Sequence, residues 1–416
     1  MKFPDNTFKL AIKAREPQTA SDKMSDSPPI ATPPAPTPQP VTQTTFTVYT
    51  GPPLDTIRSL VASQFQVKDA FLDPYGVPTI QVAAEPPRVK FKTLLAELGK
   101  NGLVAALRGA GDTLTLKVFQ KPQLQPPRRW INLALFVATV ATLYIGGSMI
   151  WSATESGDPN ISLFKPGANP FIEAGLFAGG LLSIVGLHEF GHKGAAWYHH
   201  LDATLPYFIP GPPPIGTFGA LISLRAPPAN RNELFDLGLS GPVVGFLVTI
   251  LVALASVFAG VALNPSQVQV AIQNGAKVAS WPQAPMILIL TGELGRAITQ
   301  QTTYFEPQLI SAAYIGSLLT FLNIVPAWQL DGGHISRAVF GANGHRIATM
   351  VGLGLLLVAR YWTFAILVLI MMSFSRRGLA GVEPLDDVSP VSNSRKFMYV
   401  FAMVMLVLTF STAPPL

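Results

Sequence analysis

Apolar and polar positions divide this chain into three stretches. From Ser25 to Thr45 the sequence is dominated by Pro, Thr, Ser and Gln, too little apolar surface to offset the entropy of ordering, which predicts a disordered tail over residues 1–45. From Phe46 the pattern changes. Short β-rich runs (FTVYT, PTIQVAA, TLTLKVF) alternate with helix-like ones (LDTIRSLVASQF, FKTLLAELGKNG), so residues 46–122 are expected to form a small cytoplasmic α/β domain. No catalytic motif falls within it. Residues 123–416 open with an uncharged run from Trp130 to Ile150, bounded by Arg128 and Arg129 before it and Trp151 after it. At about 1.5 Å per residue such a run crosses a bilayer core of roughly 30 Å. Further apolar runs lie at Phe171 to Tyr198, Leu237 to Leu263, Leu309 to Leu330, Ile347 to Ala359, Tyr361 to Phe374 and Phe397 to Phe410. Together they predict a mainly α fold, a polytopic transmembrane bundle of about six to seven spans. The last three runs are short, and hydropathy leaves open whether they span, break near Arg360 or re-enter.

Composition and charge sharpen this division. The 416 residues are 49% hydrophobic and only 12% charged, against about 25% in ordinary soluble domains, which excludes a purely soluble enzyme. Residues 1–129 hold 16 Lys and Arg against 10 Asp and Glu, whereas the remainder holds 13 of each. The basic excess is therefore N-terminal, and it is interspersed with acids, which argues against nucleic acid as a partner. The first residues, MKFPDNTFKLAIKAREP, lack the apolar run of a secretory signal. Lys and Arg outside the spans concentrate on the side that carries the N-terminus, which predicts that this side is cytoplasmic.

The absence of cysteine removes disulfides, thiol nucleophiles and thiolate metal sites together. Within the second apolar run, LLSIVGLHEFGHKGAAWYHH, His188, Glu189 and His192 form H-E-x-x-H. Spacing of i, i+4 puts both imidazoles on one helical face, where they can share a zinc ion while Glu189 handles a proton. An ionisable group at the centre of a span costs about 2.5 to 3.5 kcal/mol on insertion scales, so it is functional by default. Zinc in a catalytic site takes a third protein ligand. Asp331 is the best candidate, because it ends the charge-free run from Leu309 and is followed by Gly332 and Gly333, which let the backbone turn tightly beside a metal. His199, His200, His334 and His345 are expected to face the interface or the solvent.

These motifs resemble those of the site-2 protease family of intramembrane zinc metalloproteases. HEFGH matches the family's first motif, and NIVPAWQLDGG, Asn323 to Gly333, is similar to its Asn, Pro and Leu-Asp-Gly pattern. Between them GTFGALISLRAPPANRNELFDLGLSGPVVG, Gly216 to Gly245, is similar to the hairpin and Gly-Pro helix start of the cyanobacterial, archaeal and plastid branch, with no room for the PDZ domain of other relatives. Trp328 and Gln329 replace the more usual apolar-Pro pair, and His334 stands where many relatives carry Arg. The resemblance implies His188, His192 and Asp331 as ligands of one Zn2+, Glu189 as general base and then acid, and Asn323 as a polar group near the substrate carbonyl. It further implies hydrolysis of a peptide bond in or near the transmembrane segment of a single-span membrane protein, from the cytoplasmic or stromal side of the lipid bilayer. On a regular helix Asn323 would lie about two turns from Asp331. The stretch Pro206 to Leu224 cannot be helical and ends in a strand-like run, Ala220 to Leu224, read as a re-entrant β-hairpin able to pair with an extended substrate. Two other readings carry different expectations. A membrane-bound HExxH protease acting on soluble or lipidated chains would need a ligand from Glu233, Glu293 or Glu306, and a metal transporter would need a continuous polar path and inverted repeats.

Overall fold

The computed structural model describes residues 51–84, 88–110, 113–121, 129–155, 164–165, 167–261, 266, 269, 280–299, 306–375 and 381–412. The tail expected over 1–45 and the FTVYT run lie outside these residues.

The α/β part runs α1 (Leu54–Ala62), β1 (Val67–Leu72), β2 (Pro78–Ala83), α2 (Arg88–Lys100), β3 (Leu103–Ala110) and β4 (Thr113–Gln120). Its strands form one antiparallel sheet in the order β1-β2-β4-β3. Period-2 burial in β4 places Leu114, Leu116 and Val118 on the inner face, against Ile57, Val61, Phe91, Leu94 and Leu98 of the two helices. Two strands escaped the sequence pattern. In LVAALRGA the inward positions Leu103, Ala105 and Leu107 alternate with Val104 and Ala106, so apolar residues fall on both faces and blur the alternation, and VKDAFL has no alternation to read.

Among the described residues eight helices and one hairpin follow: α3 (Arg129–Glu155), α4 (Pro170–Tyr198), β5 (Tyr207–Pro210), β6 (Thr217–Leu221), α5 (Arg231–Ala259), α6 (Met286–Thr299), α7 (Pro307–Ile324), α8 (Asp331–Val358), α9 (Trp362–Phe374) and α10 (Asn393–Thr409). Among the described residues, α3, α4, α5 and α7 are long and apolar enough to cross a membrane. The chain is thus a mainly helical membrane protein with a small antiparallel sheet. The short C-terminal helix α9, with 13 residues, is about 20 Å long and falls short of the hydrocarbon thickness.

One expected boundary moves. The run from Leu309 to Leu330 is not one helix, because α7 stops at Ile324, ahead of Pro326, and α8 starts at Asp331. Asn323 and Asp331 therefore sit on different helices. The backbone between them folds back so tightly that a Cβ on Gly332 would lie 1.9 Å from the Ile324 carbonyl oxygen and one on Gly333 2.3 Å from that of Trp328. Both glycines are required by this close approach, and neither has a positive φ. Gly341, with φ 69, kinks α8.

The hairpin β5–β6 packs along α3. Asn132 Nδ2 donates to the carbonyls of Leu205 (3.1 Å) and Pro206 (2.9 Å), and Thr142 Oγ1 donates to that of Gly216 (2.6 Å). Phe136 meets Phe208 edge to face at 5.3 Å. Strand order β5-β6 leaves one edge of β6 without a strand partner among the described residues.

Candidate metal centre

Asn169 caps the start of α4 and Pro170 follows at its first position, which suits a residue without an N–H. The helix then carries His188, Glu189 and His192, all buried, toward its C-terminal end. Six residues, about 9 Å, separate His192 from the last residue of the helix. Start and direction of α5 are fixed by a reciprocal cap: the Glu233 N–H donates to Asn230 Oδ1 at 3.0 Å while Glu233 Oε2 accepts from the Ala229 N–H at 2.8 Å. Asp331 opens α8, where the helix dipole favours a carboxylate.

These three helices bring His188, His192 and Asp331 together. His188 Nε2 and His192 Nε2 are 3.1 Å apart, and each is 3.3 Å from Asp331 Oδ2. Donors held about 2.0–2.1 Å from a tetrahedral zinc stand roughly 3.3 Å from one another. The donor set and its spacing therefore fit one zinc ion, which these residues could hold. The second nitrogen of His192 is engaged as well: Nδ1 lies 2.7 Å from the Leu237 carbonyl oxygen, so it carries the proton and leaves the Nε2 lone pair for a metal. Asn323 Nδ2 lies 3.4 Å from His188 Nε2, so the amide reaches the site although its helix ends before Asp331. The Glu189 carboxylate faces the backbone amide of Ile222, one residue beyond β6.

Room for two imidazoles between α4 and α5 comes from glycine. A Cβ at Gly241 would meet His192 Nε2 at 2.1 Å, one at Gly245 would meet His188 Nδ1 at 2.9 Å, and one at Gly238 would meet the Asp331 carbonyl oxygen at 2.8 Å. Spacings of three and four residues place all three on one face of α5. This stripe, and the Leu237 carbonyl beside it, were legible only as part of a Gly-Pro motif.

Other residues weighed from the sequence lie elsewhere. Glu233 is occupied in the cap of α5, Glu306 caps α7 through the N–H groups of Gln308 and Leu309, and Glu293 pairs with Arg296 on an exposed surface. His200 is exposed, whereas His199 pairs with Asp236 at 2.8 Å. The expectation of solvated imidazoles fails for two residues. His345 is fully buried with Nδ1 2.9 Å from Ser336 Oγ, and His334 has its Nδ1 buried. Both sit on a helix packed against α5, where the sequence had shown only a basic segment.

A helical membrane bundle with a His, His, Asp donor set and a neighbouring Glu defines a membrane-embedded metalloprotein. The model of peptidase family M50 matches residues 176–359, a stretch that contains every residue of the site, so the chain is similar to that family there. It is 29% identical over 298 residues to a probable chloroplastic zinc metalloprotease EGY1 of Oryza sativa subsp. japonica, covering 67% of this chain and 49% of the relative. A probable zinc metalloprotease EGY2 of Arabidopsis thaliana is 27% identical over 269 residues, covering 62% and 44%. A probable zinc metallopeptidase EGY3 of the same plant is 24% identical over 307 residues, covering 71% and 51%. The chain thus spans about half the length of the curated relatives it matches. No solved structure matches it.

Proposed function

We propose that this protein is an intramembrane zinc endopeptidase that hydrolyses a peptide bond in or near the transmembrane segment of a membrane-anchored protein, with its site open to the side that carries the N-terminus. The observation that carries this reading is the triangle of His188 Nε2, His192 Nε2 and Asp331 Oδ2, with edges of 3.1 to 3.3 Å, beside Glu189 within a membrane-length helix.

Bound by these three residues, zinc supplies Lewis-acid polarisation of the scissile carbonyl. Glu189 takes the proton of the attacking water and returns it to the leaving amine, so the same carboxylate serves as base and then as acid. The Asn323 amide donates a hydrogen bond to the carbonyl oxygen as negative charge develops on it. His192 is kept in its ligating tautomer by the Leu237 carbonyl. Hydrolysis needs an extended chain, and a helix presents no free backbone groups. The open edge of β6 offers backbone partners to an unwound substrate beside Glu189.

Glu189→Gln tests this reading. In lipid vesicles the parent is expected to cleave a tethered single-span reporter in a zinc-dependent manner, and the variant to retain its zinc while losing at least 100-fold in rate. Cleavage by Glu189→Gln at the parental rate would overturn the assignment.

A further inference from the structure

Between α9 and α10 the chain runs as an extended strap, residues 383–388, wedged between two remote parts of the molecule. On one side lies β3, the edge strand of the α/β sheet. The Leu107 N–H donates to the Leu385 carbonyl at 2.8 Å, Arg108 Nη1 donates to the carbonyls of Pro384 (3.1 Å) and Leu385 (2.9 Å), and Arg108 Nη2 pairs with Glu383 at 2.9 Å. Leu385 and Val388 pack against the core of the sheet. On the other side lies the segment that enters α5: the N–H groups of Leu385 and Asp386 donate to the carbonyls of Pro228 (2.9 Å) and Ala229 (2.8 Å).

Held from both sides, the strap delivers Asp387 to two arginines. Its Oδ1 accepts from Arg231 Nε at 3.1 Å and from Arg337 Nη1 at 2.8 Å, its Oδ2 accepts from Arg337 Nη2 at 2.7 Å, and its carbonyl accepts from Arg231 Nη2 at 2.6 Å. Arg231 is the first residue of α5, the helix whose glycines and Leu237 carbonyl seat the two histidines. Arg337 lies six residues after Asp331 on α8, with its side chain 1% exposed. Without the carboxylate between them, two guanidinium groups would face each other across the contact of these helices.

We propose that Asp387 is a positioning residue for the metal centre, and that the α/β domain, by holding the strap on its sheet edge, sets the spacing between the helix that seats the histidines and the helix that bears Asp331. This inference rests on the zinc-peptidase reading for its activity measurement alone.

The test uses the full chain in lipid vesicles with Asp387→Asn, Arg108→Ala and the double variant. Three quantities are read: zinc affinity in competition with a chelator, the visible spectrum of the cobalt-substituted protein, and kcat and KM for a tethered reporter. Asp387→Asn is expected to weaken zinc binding at least tenfold, to shift the cobalt spectrum, and to lower kcat tenfold or more with KM within twofold. Arg108→Ala, remote from the site, is expected to move the same quantities in the same direction by less, and the double variant to be no worse than Asp387→Asn. A folded Asp387→Asn protein with parental affinity, spectrum and kcat would overturn the proposal. Should that variant fail to fold, parental values in Arg108→Ala would overturn it instead. Altered metal binding in a protein whose parent cleaves nothing sinks the peptidase reading and leaves the positioning role standing.

Discussion

Between Gly241 and His192 there is no space for a single methyl group. A Cβ at this position would sit 2.1 Å from the ligating nitrogen, and the ring cannot swing aside because its other nitrogen is fixed by the Leu237 carbonyl. Gly241→Ala is therefore expected to push α5 off α4, at about 1–3 kcal/mol of overpacking, and to weaken zinc binding at least tenfold. A Cβ at Gly194, on α4 two residues beyond His192, would meet nothing within 4 Å, so Gly194→Ala should bind zinc like the parent; chelator competition on the pair checks both outcomes. Asp331→Asn should likewise lower zinc affinity, since a neutral carboxamide is the poorer ligand, and full occupancy in that variant would reassign the third ligand. Asp387 differs in kind. Burial pushes its carboxyl up, but hydrogen bonds from Arg337 and the charges of Arg337, Arg231 and Arg108 outweigh this and hold it below the ordinary carboxylate value. A depressed folded value means that its stabilisation is complete above the unfolded pKa of about 3.9 and is lost as pH falls through the lower folded value. Stability differences between Asp387→Asn and the parent should accordingly be constant from about pH 6 to 8 and shrink only in strong acid, as chemical denaturation across that range would show.

At the scale of elements, the hairpin has one side committed and one side open. Thr142, Asn132 and Phe136 of α3 hold β5 and the turn, while the far edge of β6 has no strand partner among the described residues. The strand covers Thr217–Leu221, three residues earlier than the run Ala220 to Leu224 expected from the sequence. Its continuation places the Ile222 amide against Glu189. Ile222→Pro deletes that donor and distorts the edge, whereas Leu221→Val leaves the main chain unchanged. Net values of about 0.5 to 1.5 kcal/mol per backbone hydrogen bond translate, with the distortion, into an expected tenfold or greater loss of turnover for the first and little change for the second. Reporter cleavage at matched zinc content measures the difference. Parental rates in Ile222→Pro would reduce the hairpin to a connection.

For the whole molecule, the absence of cysteine makes sidedness directly measurable. Helices α3, α4, α5 and α7 alternate in direction if each crosses the bilayer, which puts the α/β domain and the metal centre toward one face and α6 toward the other. Tyr75→Cys, at an exposed turn of the α/β domain, is expected to react with an impermeant maleimide from the face that carries the N-terminus. Arg296→Cys, on an exposed part of α6, should react from the opposite face. Labelling of both from one face would overturn this topology.

Read by itself, the sequence determined the helical class, the first three apolar elements and the donor set of the candidate metal centre, because each is written in local terms. A bilayer demands long charge-free runs, and a zinc ion demands donors at a spacing that a helix fixes within five residues. His188, Glu189 and His192 are legible for that reason. Asp331 stood out by its charge at the end of an apolar run, though the break between Ile324 and Asp331 did not. What only the tertiary structure decided are distances across elements. Gly238, Gly241 and Gly245 read as ordinary helix interruptions until α4 presses two imidazoles against them. His345 reads as a surface residue until α8 buries it, and Asp387 as one more loop acid until the strap sets it between Arg231 and Arg337. Local pattern records which face of an element is apolar. Which neighbour meets that face, and how closely, is a property of packing among residues distant in the chain, where no periodicity carries the information.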